Sequence, residues 1–119
     1  MDNLDPVFEL VAGYFSMLAE PTRLKIMHAI CEGERTVNEI VSVTGIGQTN
    51  VSRHLGLMHR HGVVVRRRAG SLVFYRVADE TMPDLCRAVC ARIASGMGSR
   101  RPLQRQLLRL VPQGKRRAA

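Results

Sequence analysis

Apolar residues recur along this chain at two different spacings, and the changes from one to the other divide it into elements. Between Pro6 and Leu18, the residues Val7, Leu10, Val11, Tyr14, Phe15 and Leu18 follow at helical steps with Glu9 and Ser16 outside the stripe, which predicts a first helix. Pro21 suits the first turn of a second helix, where its missing N–H costs nothing. Leu24, Ile26, Met27 and Ile30 carry that helix from Pro21 to about Glu32, short of Gly33. Thr36-Val37-Asn38-Glu39 fits a capping box, in which the Thr hydroxyl accepts from the third helical N–H and Glu39 reaches back to the amide of Thr36. The third helix it opens turns Val37, Ile40 and Val41 inward and stops near Thr44-Gly45, because glycine adopts a left-handed conformation cheaply. A fourth helix starts about two residues later, spaces Val51, Leu55 and Met58 by four and three, and ends at His61-Gly62.

From Val63 the pattern becomes strand-like. Val63-Val64-Val65 is β-branched throughout, Arg66-Arg67-Arg68 extends it, Ala69-Gly70-Ser71 supplies a turn, and Leu72 to Val77 returns as a second strand. A fifth helix from about Glu80 to Ser95 carries Met82, Leu85, Cys86, Val89, Cys90 and Ile93 along one face, with Pro83 in its first turn. Gly96 to Ser99 reads as a linker. A short helix over 102–111 then lines up Leu103, Leu107, Leu110 and Val111, and Lys115-Arg116-Arg117 is expected to be disordered. The expected division is therefore 1–95 as one domain and 96–119 as a basic tail.

The totals add a sign to this plan. With 45% hydrophobic and 24% charged residues the composition is that of an ordinary soluble domain, and no apolar run is long enough to span a membrane. Met1-Asp-Asn-Leu-Asp5 is acidic where a secretory signal would be basic, so the expected compartment is the cytoplasm. The net charge of +8 is unevenly spread: residues 1–46 hold three basic and seven acidic side chains, a net −4, and residues 47–119 hold fifteen and three, a net +12. A field of that kind attracts a polyanion, because each phosphate neutralised releases a counterion. Sixteen of the eighteen basic residues are Arg, whose fork suits phosphates and guanine edges better than Lys does.

Placed on these elements, the third helix, the turn Thr44-Gly45-Ile46 and the fourth helix form a helix-turn-helix whose second helix can enter the major groove of double-stranded DNA. With Val51, Leu55 and Met58 turned to the core, Gln48, Thr49, Ser52 and Arg53 lie on the opposite face and Asn50 at its boundary. Their short polar groups suit phosphates and adenines, and the Arg suits guanine. His54 either reaches phosphate or packs beside Leu55. A helical hairpin with a merely solvated face would look similar; the following β-hairpin separates the two, since Arg66, Arg67, Arg68 and Ser71 would sit beside the fourth helix as a wing on the DNA backbone or minor groove. The first and fifth helices carry wider apolar faces than one small core can cover, which predicts a homodimer. Twofold symmetry would set two reading helices roughly 34 Å apart, one turn of DNA.

Leu18-Ala-Glu-Pro-Thr-Arg-Leu-Lys-Ile26, Val51-Ser-Arg-His-Leu55, Gly62-Val-Val-Val65 and Phe74-Tyr75-Arg76 resemble the ArsR/SmtB family of winged helix-turn-helix repressors over residues 15–79. The resemblance implies a mainly α fold with a two-stranded β-hairpin wing, four helices before it and one after. It also implies a homodimer through the first and fifth helices, binding to an imperfect palindrome near a promoter, and release by an inducer. Two metal sites of the family fail residue by residue. Thr36-Val37-Asn38 stands where arsenic- and cadmium-type members place a Cys-Val-Cys, and of the zinc-type set only Asp79 is matched, with Thr81, Arg92 and Ser95 at the other ligand positions. No metal and no cofactor is therefore expected. His28 stands where sulfur-responsive members place a thiol, with Cys31 three residues later.

The odd count of cysteines argues against a disulfide framework. Cys86 and Cys90, one helical turn apart, are the candidate sensing pair for a thiol-reactive species or, with a third thiolate, As(III); Cys31 is a weaker candidate. The competing reading makes them small apolar residues at a buried seam, in a regulator that senses nothing through them. His59 and His61 fall on different faces of a helix end, and His28 reads as an interior residue rather than a ligand. An enzyme using Cys86 or Cys90 as nucleophile is disfavoured, since no base, phosphate loop or catalytic triad accompanies them. The basic tail, with its interleaved leucines, suggests a further alternative, a general polyanion or membrane-surface binder.

Overall fold

A computed structural model describes residues 3–97 and 101–110 of the chain. In order, the elements are α1 (Asp5–Ser16), α2 (Pro21–Ile30), β1 (Arg35–Thr36), α3 (Val37–Thr44), α4 (Gln48–Arg60), β2 (Val64–Ala69), β3 (Leu72–Val77), α5 (Thr81–Ser95) and α6 (Arg101–Arg109). They group into two compact units, one running through Met82 and the other beginning at Pro83. Lys115-Arg116-Arg117 and the end of the expected tail helix at Val111 lie outside the described residues. No helix among the described residues is long and apolar enough to cross a membrane.

In the first unit α2, α3 and α4 surround a core of Ile26, Met27, Ile30, Ile40, Val51, Leu55 and Met58, which Val63 and Val64 close at the root of the sheet. The local signals act as the sequence predicts. Thr36 Oγ1 accepts from Glu39 N at 3.2 Å while Glu39 Oε1 accepts from Thr36 N at 2.9 Å, a complete capping box. Gly45 ends α3 at φ +75°, a conformation that costs a side chain steric strain.

Two helix ends differ from expectation, and at each an arginine side chain takes the last carbonyls. Helix α1 stops at Ser16 rather than Leu18, where the Arg23 guanidinium takes the carbonyls of Ser16 and Met17 at 2.8 and 3.3 Å. Helix α2 stops at Ile30 rather than near Glu32, with Arg35 Nε donating to Ala29 O at 2.7 Å. These are last-turn carbonyls with no partner inside their own helix, so a side-chain donor fixes where the helix ends. Arg35 also belongs to an unexpected two-residue strand: β1 pairs antiparallel with β3, Arg35 opposite Tyr75 and Thr36 opposite Phe74. The sheet therefore has three strands in the order β1-β3-β2, the β2–β3 hairpin forming the wing.

The second unit comprises α6 and most of α5. Cys90 and Ala94 are buried, Leu85 and Cys86 are half-buried, and Val89 and Ile93 are exposed, so the apolar face expected on this helix is only partly covered. Gln104 Nε2 on α6 donates to Ala94 O at 2.6 Å, which joins the two helices at the end of α5.

Candidate nucleic-acid interface

The turn between α3 and α4 is Gly45-Ile46-Gly47, and Thr44 braces it. Its hydroxyl donates to Ile40 O at 2.7 Å and accepts from Ile46 N at 3.2 Å, so the angle between the two helices is set by one side chain as well as by Gly45. Helix α4 then presents two opposite faces. Val51, Leu55 and Met58 are 0% exposed, each contributing about 1.5–3 kcal/mol by leaving water. Gln48, Thr49, Asn50, Ser52 and Arg53 are all exposed. Arg53 Nη2 donates to Asn50 Oδ1 at 3.1 Å, which aligns the longest of these side chains along the helix. The N-cap is Gly47, which has no side chain to occupy the first-turn amides.

The wing residues do not form one set. Hairpin pairing runs from Val64 opposite Val77 to Ala69 opposite Leu72, with Gly70 at φ +63° leading the two-residue turn and Ser71 exposed beside it. Strand alternation puts Arg66 and Arg68 on the side of buried Val64 and turns Arg67 to the other side. There Arg67 lies over the Phe74 ring, 4.7 Å from its centre, and grips both carboxylate oxygens of Glu34. The hydrogen bonds from Arg67 hold the Glu34 carboxyl below its ordinary range against the opposing effect of burial; the charges of Arg67 and Arg76 add to them. Of the three arginines expected at the wing, Arg67 is thus ion-paired within the sheet, while Arg66 and Arg68 stand exposed on the other side.

His54, the other open case, packs inward. Its side chain is 12% exposed, with Nδ1 3.5 Å from Arg23 Nη1 and Nε2 4.0 Å from Glu20 Oε2. Glu20 is the N-cap of α2, accepting from Arg23 N at 3.0 Å. Burial raises its carboxyl, but the backbone hydrogen bonds from Arg23 and Thr22 outweigh that and the net shift is downward. Glu20 and Arg23 were not singled out by the sequence reading. The signal was there in part, since Pro21 marks the first helical position and so makes residue 20 the cap. His28, expected in the interior, is exposed, because the buried stripe of α2 runs through Ile26, Met27, Ala29 and Ile30.

The candidate sensing and metal residues are differently placed. Thr36 is occupied as the cap of α3, and Asn38 is exposed. Asp79 Oδ1 accepts from Thr81 N at 2.9 Å at the start of α5; hydrogen bonds from the Thr81 backbone and hydroxyl lower its carboxyl. Among the described residues no three His, Cys, Asp or Glu side chains come together as a group that could hold a metal ion. Cys31 Sγ donates to His28 O at 3.2 Å. Cys86 is held protonated: burial pushes its thiol up to about 11, the adjacent Cys90 adds to this, and Arg87 opposes it.

A three-helix core with a helix-turn-helix and an arginine-bearing β-hairpin defines the winged helix-turn-helix class. Comparison with known proteins gives the family. Residues 20–65 match the family model "Bacterial regulatory protein, arsR family". The chain is 36% identical over 95 residues to an uncharacterized HTH-type transcriptional regulator of Mycobacterium tuberculosis, spanning 76% of this chain and 83% of that one. It is 43% identical over 77 residues to a probable mercury resistance operon repressor of Streptomyces lividans, 65% of this chain and 62% of the relative. Among solved structures, a homodimeric winged helix-turn-helix DNA-binding domain from Mycobacterium bovis superposes with a TM-score of 0.62 at 34% identity, covering 67% of this chain and 74% of that one. The chain belongs to the ArsR family of bacterial transcriptional regulators.

Proposed function

We propose that the chain acts as a homodimeric repressor that binds an imperfect palindrome in double-stranded DNA and is released from it by an inducer. The observation that carries this reading is the division of α4, whose apolar face is fully buried while Gln48, Thr49, Asn50, Ser52 and Arg53 stand together in solvent. Such a helix can lie in the major groove, with Arg53 donating to a guanine edge and the amide and hydroxyl groups meeting adenines and phosphates. The uncapped first turn at Gly47 suits a phosphate oxygen. Arg66, Arg68 and Ser71 contact the backbone from the wing, and the basic residues beyond 96 add general affinity for the polyanion. His54 and Arg67 take no direct part. Function is binding rather than catalysis, in the cytoplasm, and the raised Cys86 thiol favours a packing role for Cys86 and Cys90 over a sensing one.

The test pairs substitutions on two probes, a duplex selected from a random library by the wild-type protein and a random duplex of equal length. Arg53→Ala weakens the selected duplex by about 1–3 kcal/mol and relaxes its base preference, whereas Arg66→Ala and Arg68→Ala weaken both duplexes alike and each lower the salt slope by about one. Equal losses on the two duplexes for Arg53→Ala would sink the base-reading role.

A further inference from the structure

We infer that Arg23 and His54 are positioning residues that hold the recognition helix α4 against the end of α1, so that the presentation of the reading face depends on where α1 sits. The inference rests on the reading of α4 as the DNA-reading helix.

One guanidinium makes the joint. Arg23 Nη2 and Nε close α1 through the carbonyls of Ser16 and Met17 at 2.8 and 3.3 Å, and Nη1 is 3.5 Å from His54 Nδ1. A guanidinium only donates, so Nδ1 must be the unprotonated nitrogen, which leaves the ring proton on Nε2 facing Glu20 Oε2 at 4.0 Å. His54 stands between exposed Arg53 and fully buried Leu55, so a shift of this ring moves both the reading face and its anchor. A second histidine, His61 at the C-cap of α4, packs on α1 without an intermediary. The ring of His61 lies against Gly13 of α1, where a Cβ would come within 3.3 Å of Cε1. His61 therefore meets α1 directly and His54 meets its end through Arg23, and the opposite side of α1 carries the exposed residues Phe8, Val11 and Phe15.

Two charged groups face the His54 ring, Arg23 and Glu20, both from the start of α2. Helix α1 contributes only carbonyls to the joint, and on α4 the neighbouring Arg53 is turned to Asn50.

The experiment measures affinity for the same selected and random duplexes. At about pH 7.5, His54→Leu binds the selected duplex about tenfold more weakly and the random duplex within about twofold of wild type, as expected for one lost hydrogen bond at a positioning site. His54→Gln, whose Oε1 can accept from Arg23 at any pH, restores binding to within about threefold. Three outcomes would overturn the proposal: His54→Gln binding no better than His54→Leu, His54→Leu matching wild type on the selected duplex, or equal losses on both duplexes with a lowered melting temperature. Arg53→Ala in the same assay keeps the two readings apart. If it leaves base preference intact, the assignment of α4 as the reader fails instead.

Discussion

A thiol reacts as its thiolate, and the surroundings of Cys86 keep its proton on. Burial is the larger cause and the neighbouring Cys90 the next, and together they overcome the pull of Arg87 and raise the thiol to about 11. Two units above the ordinary 9.0, this leaves about a hundredfold fewer thiolates at neutral pH than an exposed cysteine has. Alkylation of Cys86 in the folded protein is therefore expected to run about a hundredfold slower than that of a free thiol. Its rate should climb roughly tenfold per pH unit toward pH 11. Tryptic mass spectrometry of the unsubstituted protein would follow this site, since cleavage after Arg87 separates Cys86 from Cys90; a rate at neutral pH equal to that of free cysteine would show a thiol activated for sensing. That Cys86 and Cys90 share a turn is plain from their spacing, whereas the burial that decides their chemistry is not.

At the scale of elements, the wing is tied to the strand beside it by one side-chain pair. Glu34 precedes β1 and Arg67 lies on β2, with β3 between them, so the pair bridges the whole sheet through the Phe74 ring. The Glu34 carboxyl is depressed, chiefly by hydrogen bonds from Arg67, so its contribution to stability is complete above the ordinary carboxylate value and disappears as pH falls through the depressed one. An exposed ion pair of this kind contributes modestly, so the signal is a difference. Wild type is expected to melt slightly above Glu34→Gln at neutral pH, and the two curves to converge in acid. A gap that stayed constant down to about pH 3, below the usual carboxylate range, would rule out the ion pair as its origin. The hairpin itself was legible, since β-branched residues flank a glycine turn. The bridge was not, because its partners lie 33 residues apart and neither residue marks the other.

The molecule as a whole leaves α1 incompletely covered. None of its twelve residues is buried, and its apolar side chains point both ways, with Phe8 65% and Leu10 78% exposed. A helix apolar on more than one side is ordinarily sandwiched between neighbours, and a patch of this kind on a free surface invites association. In the homodimer proposed above, Phe8→Glu is expected to give a monomer by sedimentation at micromolar concentration with helix content unchanged. It should also lower affinity for a two-half-site duplex by about a hundredfold or more, since the linkage between half-sites is lost. A dimer that persisted in Phe8→Glu would place the seam elsewhere.

What the sequence determined by itself is what depends on neighbours a few residues away. The stripes of α2, α3 and α4, the capping box at Thr36, the left-handed stop at Gly45 and the presence of a glycine turn at Gly70 all follow from helical or strand periods and from single-residue backbone preferences. The polar face of α4 follows from the same periodicity. The tertiary structure alone decided which of those polar groups are free. His54 turned to Glu20 and Arg23, Arg67 was taken by Glu34, and a strand of two residues joined the sheet because β3 offered it an edge. Such pairings join residues about thirty or more positions apart, so their strength comes from the fold that brings them together and no local pattern records it.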